Sequence, residues 1–383
     1  MMPVFRPCMG QEEADAVAEV LKSGWIGLGP KTAEFEAEFA KYLGAPYCAA
    51  LNSATAALDL ATMLAGIGPG DEVIVPTITF VSTAHAVMYR GARVVFADVE
   101  RETLNISFAD VERKLSPKTK AIIPVHYAGR PVDVRRLRQV VGDRVTIIED
   151  CAHATGASYY GQKVGSEGNL SCFSFHAVKN LAMGDGGALV SHREKDYDRA
   201  KRLRWLGIDK DTWQRNDANR KYWWQYNVPE VGYKCHLNDI AAVIGLVQLK
   251  KLDRMNDRRR EIVRMYTEML RSTVETPPDD TPEFRSAWHI YCIKCKKRDD
   301  LAQYLVAQGI NTGVHYYPIH LYDTCYGTQP ELPVAEAEMK RIMSLPIFPD
   351  MTDDQVTQVA EQIKKYYATT GNGNGNGSRA TKK

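Results

Sequence analysis

Apolar residues in this chain follow two patterns, helical spacing over longer stretches and short continuous runs between them, which predicts alternating helices and strands. Two helices, at 10–21 and 31–43, come first and flank a turn-rich segment at 23–30. From residue 53 onward the alternation becomes regular. The predicted strands are 72–75, 93–97, 120–125 and 145–148, with a further apolar run at 170–175, and the predicted helices are 54–65, 82–89, 110–115 and 134–140.

Short strands that alternate with helices predict an α/β fold with a mostly parallel sheet covered on both faces. A long segment at 206–229, rich in Trp, Tyr, Asn and Asp, interrupts this order and is interpreted as a functional or interface loop. A long helix is predicted from about residue 238, and the capping box of Thr352 and Gln355 starts a final helix. A strand is also predicted at 289–295 and a helix at 299–308.

The domain organisation follows from these elements and from composition. We predict a large domain at 1–254, a smaller C-terminal domain at 255–370, and a disordered low-complexity tail at 371–383. Charged residues make up 25% and hydrophobic residues 44% of the chain, which is ordinary for a globular protein. The formal net charge of +2 gives no reason to propose nucleic acid or a membrane as a partner.

The eight cysteines have no regular spacing, and no signal peptide or long apolar span is visible. This indicates reduced thiols and a cytoplasmic location rather than a disulfide framework. Cys292 and Cys295 form a close pair with His289 nearby, but no second pair stands at zinc-site spacing. No metal site is predicted.

The most informative segment is 174–180, which carries Lys179 and is followed by a glycine-rich turn at 184–187. Upstream, the strand at 145–148 ends in Glu149 and Asp150. Ligands of parallel sheets bind at the carboxyl ends of the strands, so this acid and this lysine are expected at one edge. An enzyme that uses pyridoxal 5′-phosphate (PLP) requires this pair, because the amine binds the cofactor aldehyde and the carboxylate keeps the ring nitrogen protonated. The alternative for Lys179 is a surface lysine in a turn.

Three further features have two interpretations each. The helix start at 52–57 could cradle a phosphate or be an ordinary N-cap. Phe80 could stack on a planar cofactor or fill the core. His153 could bond the phenolic oxygen of the cofactor or be a structural histidine. Each signal is weak alone, and their order along the chain is far more specific.

In that order, these residues resemble the nucleotide-sugar aminotransferases of the DegT/DnrJ/EryC1/StrS group, a branch of the fold-type-I PLP enzymes. The matching segments are 5–10, 23–25, 29–31, 70–73, 123–129, 149–150, 174–180 and 344–349. The forms of 174–180 and 207–213 are most similar to enzymes that aminate C4 of a 4-keto sugar nucleotide, the 4-amino-arabinose type. The resemblance implies a mostly parallel seven-stranded sheet sandwiched by helices, with a smaller C-terminal α/β domain.

The resemblance also implies roles for individual residues. Lys179 would bind the cofactor covalently, and Asp150 would pair with its ring nitrogen. The other implied contacts are Phe80 on the ring, Ala54, Thr55 and Ser174 on the phosphate, His153 near the phenolic oxygen, and His315 and Tyr316 near the sugar. The family completes each site from a partner subunit, which implies a homodimer. In the corresponding segment, 232–239, Lys234 or His236 would contact the partner's cofactor phosphate.

The implied reaction has two stages. Glutamate gives its amino group and leaves as 2-oxoglutarate, and a nucleotide-linked keto sugar then takes the amino group. The product would be an aminodeoxy sugar nucleotide for a surface glycan, such as the O-antigen of a lipopolysaccharide, or for a glycosylated metabolite. Amination at C3 stays open as an alternative.

Other classes of protein are less well supported. Related sugar dehydratases carry histidine where this chain has Lys179. A non-enzymatic protein with the PLP fold would usually need a DNA-binding domain, and no helix-turn-helix precedes residue 50. A nicotinamide oxidoreductase needs a glycine-rich turn between a strand and a helix, whereas the glycines at 66–70 lie between a helix and a strand.

Overall fold

The computed structural model describes residues 1–209 and 225–370 of the 383-residue chain. The predicted disordered tail at 371–383 and most of the predicted functional loop at 206–229 lie outside the described residues.

Helices and strands alternate through most of the described chain. The helices are α1 (Gln11–Ser23), α2 (Pro30–Leu43), α3 (Ala54–Leu64), α4 (Ser82–Met88), α5 (Phe108–Lys114), α6 (Val134–Val141), α7 (Glu194–Leu203), α8 (Asp239–Leu270), α9 (Arg298–Ala307), α10 (Asp323–Tyr326), α11 (Pro333–Met339) and α12 (Asp353–Thr370). The strands are β1 (Tyr47–Leu51), β2 (Glu72–Pro76), β3 (Arg93–Ala97), β4 (Thr119–Ile122), β5 (Thr146–Asp150), β6 (Ser158–Tyr159), β7 (Gln162–Lys163), β8 (Leu170–Ser174), β9 (Gly187–Ser191), β10 (Phe284–Arg285), β11 (Tyr291–Lys294) and β12 (Ile342–Leu345).

The central sheet has seven strands in the order β1-β9-β8-β5-β4-β2-β3. Strands β3, β2, β4, β5 and β8 run parallel to one another, while β9 is antiparallel to both β8 and β1. The strands β2, β8 and β9 are buried along their whole length, as expected for a sheet covered on both faces. The predicted α/β fold with a mostly parallel seven-stranded sheet is confirmed.

Side chains at the end of β8 alternate between the two faces of the sheet. Phe173 and Phe175 both meet Phe39 of α2 edge to face, with ring centroids 5.2 and 5.1 Å apart. Because successive strand residues point to opposite faces, Ser174 is left facing away from this aromatic cluster. The aromatic packing thus holds the end of β8 in place and presents Ser174 to the carboxyl edge of the sheet.

A second hydrophobic cluster lies in the C-terminal part of the chain, where β11 and β12 pair antiparallel and pack with α9, α12 and the end of α8. The predicted capping box begins α12, with reciprocal bonds of 3.1 and 3.2 Å between Thr352 and Gln355. The 32-residue helix α8 continues without a break past residue 254, so the division into domains at 254 and 255 stays a prediction.

One local expectation needs correction, and some elements were not predicted. The strand predicted at 120–125 is the shorter β4, because Pro124 has no N–H to donate to a ladder. The elements that were not predicted include the helix α7 and the strands β1 and β9. Three of the five residues of β1 are alanine or cysteine, so it lacks the β-branched pattern that marks a strand. Among the described helices, none combines the length and apolarity that a membrane span needs.

Candidate active site

A cavity of about 380 Å³ opens at the carboxyl edge of the sheet, where the chain leaves β2, β4, β5 and β8. This volume is in the range of small-molecule sites. The predicted site residues that line it are Ala54, Thr55, Phe80, Asp150, His153, Ser174, Lys179, His315 and Tyr316. Residues up to 262 positions apart in the chain, 54 to 316, therefore meet at one edge, as the strand order predicts.

Asp150 ends β5 and is only 4% exposed. One carboxylate oxygen accepts the Ala152 N–H at 3.1 Å, and the other accepts the Thr83 hydroxyl at 2.9 Å. Burial raises the pKa of Asp150, while these hydrogen bonds and the charge of Lys179 lower it in part. Within the described chain, no lysine or arginine forms an ion pair with it. A buried acid that faces a cavity without such a partner fits the protonated ring nitrogen of PLP.

Lys179 lies in a tight turn after β8, where its N–H donates to the His176 carbonyl at 2.8 Å. The neighbouring Asn180 anchors this turn by donating to the Asn256 side chain and to the Ala287 carbonyl, at 2.8 and 2.7 Å. Burial lowers the pKa of the Lys179 amine to about 8, although Asp150 acts in the opposite direction. Lys179 is partly buried and lines the cavity, which favours the site interpretation over a surface lysine in a turn.

This pKa predicts how the protein captures PLP. Only the unprotonated amine attacks an aldehyde, so the capture rate of the cofactor-free protein should rise about tenfold per pH unit below pH 8 and level off above it. If Lys179 were an exposed lysine, the capture rate would level off only above about pH 10. Stopped-flow absorbance over this pH range measures the rate. A rate that keeps rising to about pH 10 contradicts the lowered pKa.

The start of α3 forms one end of the cavity. Ser53 is an N-cap that accepts the Ala56 N–H at 3.1 Å, so the N-cap interpretation is correct for this residue. Ala54 and Thr55 follow in the first turn, where N–H groups have no partner within the helix and attract anions. Gly187 of β9 packs beneath this turn, because a Cβ there would lie 2.3 Å from the Ser53 carbonyl carbon. The helix start thus suits a phosphate.

Phe80 lies at the cavity wall and is 58% exposed, so the core interpretation of this ring is wrong. Its ring centroid is 6.1 Å from that of Tyr316, which lines the same cavity. An exposed aromatic ring beside a cavity can stack on a planar ligand.

Three histidines lie close enough to Lys179 for its charge to affect them. The Nε2 atom of His153 is 3.0 Å from the Tyr316 hydroxyl, and the Nδ1 atom of His315 is 2.8 Å from the Ser344 hydroxyl. His289 is the third, with Nε2 3.5 Å from the Lys179 amine. Burial lowers the pKa of His153 and His289 well below the ordinary value and that of His315 to about 4. All three rings are therefore neutral near pH 7.

Lys234 and His236 lie outside this cavity. The Lys234 amine is 5.2 Å from the centre of the Trp205 ring, and the His236 ring meets the same ring edge to face at 4.4 Å. Burial lowers the pKa of His236 to about 4. Their predicted contact with the cofactor of a partner subunit stays a prediction.

A buried group of His126, Glu149 and Cys151 has the composition of a metal site. However, both ring nitrogens of His126 are engaged, Nε2 with Glu149 at 3.0 Å and Nδ1 with the Val132 N–H at 2.9 Å. The imidazole has no free lone pair for an ion. We interpret this group as a hydrogen-bond network that supports the end of β5.

The sequence did not point to two residues that contact Asp150 and Lys179. Thr83 bonds Asp150, and it also lies 2.8 Å from the Thr79 hydroxyl. The spacing of these two threonines, four apart at the start of a helix, was the only available signal. His289 was considered only as a neighbour of the cysteine pair, because nothing in the sequence connects it to Lys179.

Comparisons with known proteins agree with this geometry. Residues 7–364 match the DegT/DnrJ/EryC1/StrS aminotransferase family. The spore coat polysaccharide biosynthesis protein SpsC of Bacillus subtilis is 39% identical, with 95% of this chain and 96% of SpsC covered. The sugar aminotransferase CalS13 from Micromonospora echinospora has a TM-score of 0.88 at 33% identity, with 95% and 100% covered. Spr1654 from Streptococcus pneumoniae, solved in PLP and PMP forms, has a TM-score of 0.91 at 32% identity in its PMP form, with 96% and 100% covered.

Proposed function

The chain belongs to the DegT/DnrJ/EryC1/StrS family as a PLP-dependent sugar aminotransferase, and from this premise we propose that it aminates a nucleotide-linked 4-keto sugar with glutamate as donor. The observation that carries the proposal is the cavity that both Lys179 and Asp150 line, at the start of α3. An amine of lowered pKa, a buried acid and an anion-binding helix end are the three groups that PLP requires.

When bound, PLP supplies an aldehyde that exchanges amino groups and a protonated ring that draws electrons from the reacting carbon. Asp150 holds the proton on the ring nitrogen, and Ala152 and Thr83 hold the carboxylate in place. The start of α3, at Ala54 and Thr55, together with Ser174, binds the phosphate.

The remaining residues act on the ring and on the proton. Phe80 would cover the ring, and His153 would bond the phenolic oxygen. Lys179 would hold the cofactor and, when its amine is free, would act as general base and acid.

The nucleotide-sugar substrate is supported by two kinds of evidence. His315 and Tyr316 line the cavity, and both carry polar atoms that a sugar hydroxyl can bond. SpsC is named for polysaccharide biosynthesis, and the sugars of such polymers are activated as nucleotide conjugates. The resemblance of 174–180 to 4-keto-sugar enzymes supports attack at C4 rather than C3. The product would then enter a surface glycan or a glycosylated metabolite.

We also propose that two copies form a homodimer in which Lys234 or His236 of each copy contacts the cofactor phosphate of the other. Val231 is 89% exposed and Tyr233 40% exposed, directly beside Lys234, which supports an interface there. The eight cysteines are all free, and six of them are buried. That pattern supports a reducing, cytoplasmic environment.

A substrate screen tests the proposed function. The purified protein with PLP and glutamate is incubated with 4-keto and 3-keto sugar nucleotides, and separately with the matching free keto sugars. We expect 2-oxoglutarate and an aminodeoxy sugar nucleotide from the 4-keto conjugates, with the amine located at C4 by NMR. Equal turnover of the free sugars would refute the nucleotide requirement, and an amine at C3 would refute the 4-keto assignment.

A further inference from the structure

We propose that His289 is a positioning residue that holds the side-chain amine of Lys179 whenever that amine is free, and that Phe5 keeps His289 in place. The proposal rests on the function proposed above, in which Lys179 alternates between a covalently attached and a free state. The free amine needs a fixed position, because a displacement of about 1 Å can cost about 10²-fold in rate.

The contact between the two residues is direct. The Nε2 atom of His289 lies 3.5 Å from the Lys179 amine, and His289 is 2% exposed. The backbone of this segment is tied to the loop after β4, since Ala287 N–H donates to Gly129 O at 3.0 Å and Ile290 N–H to Ala128 O at 3.3 Å. His289 therefore contacts the Lys179 amine from a firmly held backbone.

Phe5 packs against one face of the His289 ring. The two rings are stacked, with centroids 4.9 Å apart and planes inclined by 13°. The segment that carries Phe5 is itself fixed, because Met2 N–H donates to Gly309 O at 2.7 Å and Val4 O accepts the Ile347 N–H at 2.9 Å. Stacking on Phe5 thus limits the freedom of the imidazole to tilt away from Lys179.

The protonation chemistry of His289 suits this task. A neutral imidazole can accept a hydrogen bond from an ammonium group at Nε2, or donate one to a neutral amine after a change of tautomer. The Nδ1 atom of His289 has no hydrogen-bond partner among the described residues, so no contact there imposes one tautomer. His153 and His315 differ, because Tyr316 and Ser344 engage one nitrogen of each ring.

A purely structural role is the competing explanation, since the His289 ring also packs against His153 with centroids 4.6 Å apart. Three substitutions of His289 distinguish a positioning role from a purely structural role. His289→Phe keeps a flat ring on Phe5 but removes both nitrogens. His289→Gln places an amide near the Nε2 position, whereas His289→Asn places it near the Nδ1 position. His192→Phe is the matched control, because His192 follows the end of β9 and does not line the cavity.

The first readout is the rate at which the cofactor-free full chain captures PLP at about pH 9, where the Lys179 amine is unprotonated. We expect His289→Phe to slow capture by about 10²-fold, His289→Gln to stay within about tenfold of the unmodified protein, and His289→Asn to resemble His289→Phe. The second readout is turnover. We expect kcat to fall strongly in His289→Phe and His289→Asn and weakly in His289→Gln, while KM for glutamate changes by less than about threefold. His192→Phe should match the unmodified protein.

Capture and turnover at unmodified rates in His289→Phe would overturn the proposal. If that variant does not fold, as judged by its thermal unfolding midpoint, the glutamine and asparagine variants decide, and equal rates in these two overturn it. Failure of the unmodified protein to bind PLP through Lys179 would instead refute the proposed function. Mass spectrometry after borohydride reduction, which locates the modified lysine, distinguishes the two failures.

Discussion

Replacing Lys179 by alanine is expected to abolish transamination, with a loss of roughly 10⁴-fold or more in kcat, while the protein still folds. The substitution removes both the covalent attachment of PLP and the group that moves the proton, and general acid–base groups alone contribute about 10²–10⁴-fold. Folding should survive because Asn180, not Lys179, anchors this turn. Steady-state release of 2-oxoglutarate measures the loss, and circular dichroism checks the fold.

The matched control for this prediction is Lys22→Ala. Lys22 lies at the end of α1 with a side chain 72% exposed and, among residues 1–209 and 225–370, forms an ion pair with Glu19 on the same helix face. An exposed pair of this kind contributes little, so this variant should keep full activity. A small primary amine added to the Lys179→Ala protein should restore part of the proton transfer. Turnover of Lys179→Ala at the unmodified rate would show that another residue binds PLP.

Replacing Asp150 by asparagine is expected to lower kcat/KM by about 10³-fold, because a neutral amide does not hold a proton on the ring nitrogen. The fold should be retained, since an asparagine amide can donate to the Thr83 oxygen, whose hydroxyl can turn to the Phe80 carbonyl 3.1 Å away. Single-turnover kinetics should show both stages slowed, because both draw electrons into the same ring. The visible absorbance of bound PLP provides an independent signature of its ring protonation.

Asp143→Asn is the control for this effect. Asp143 is exposed at the opposite end of the strand segment that leads to Asp150, so it tests the loss of one carboxylate without changing the cavity. Its kinetics should equal those of the unmodified protein. An Asp150→Asn enzyme with unchanged rates would mean that the ring nitrogen needs no acidic partner here.

Much of the fold and the chemistry of the site could be predicted from the sequence. The alternation of apolar runs and helical spacing predicted the parallel sheet, and the family resemblance is confirmed by the match over residues 7–364. The antiparallel strand β9, inserted between β1 and β8, was not predicted, because strand order depends on packing between distant segments. The exposure of Phe80 could not be predicted either, because a phenylalanine is more often buried in a core.

The sequence by itself determined which chemical groups this protein has: a lysine after one strand, an acid at the end of another, and a capped helix start. These are local signals, readable from neighbouring residues. Only the tertiary structure decided what surrounds them. Thr83 meets Asp150 across 67 positions and His289 meets Lys179 across 110, and burial lowers the Lys179 pKa to about 8. Such contacts depend on how whole helices and strands pack against one another, and so does the loss of water around a charged group. Neither can therefore be predicted from a local sequence pattern.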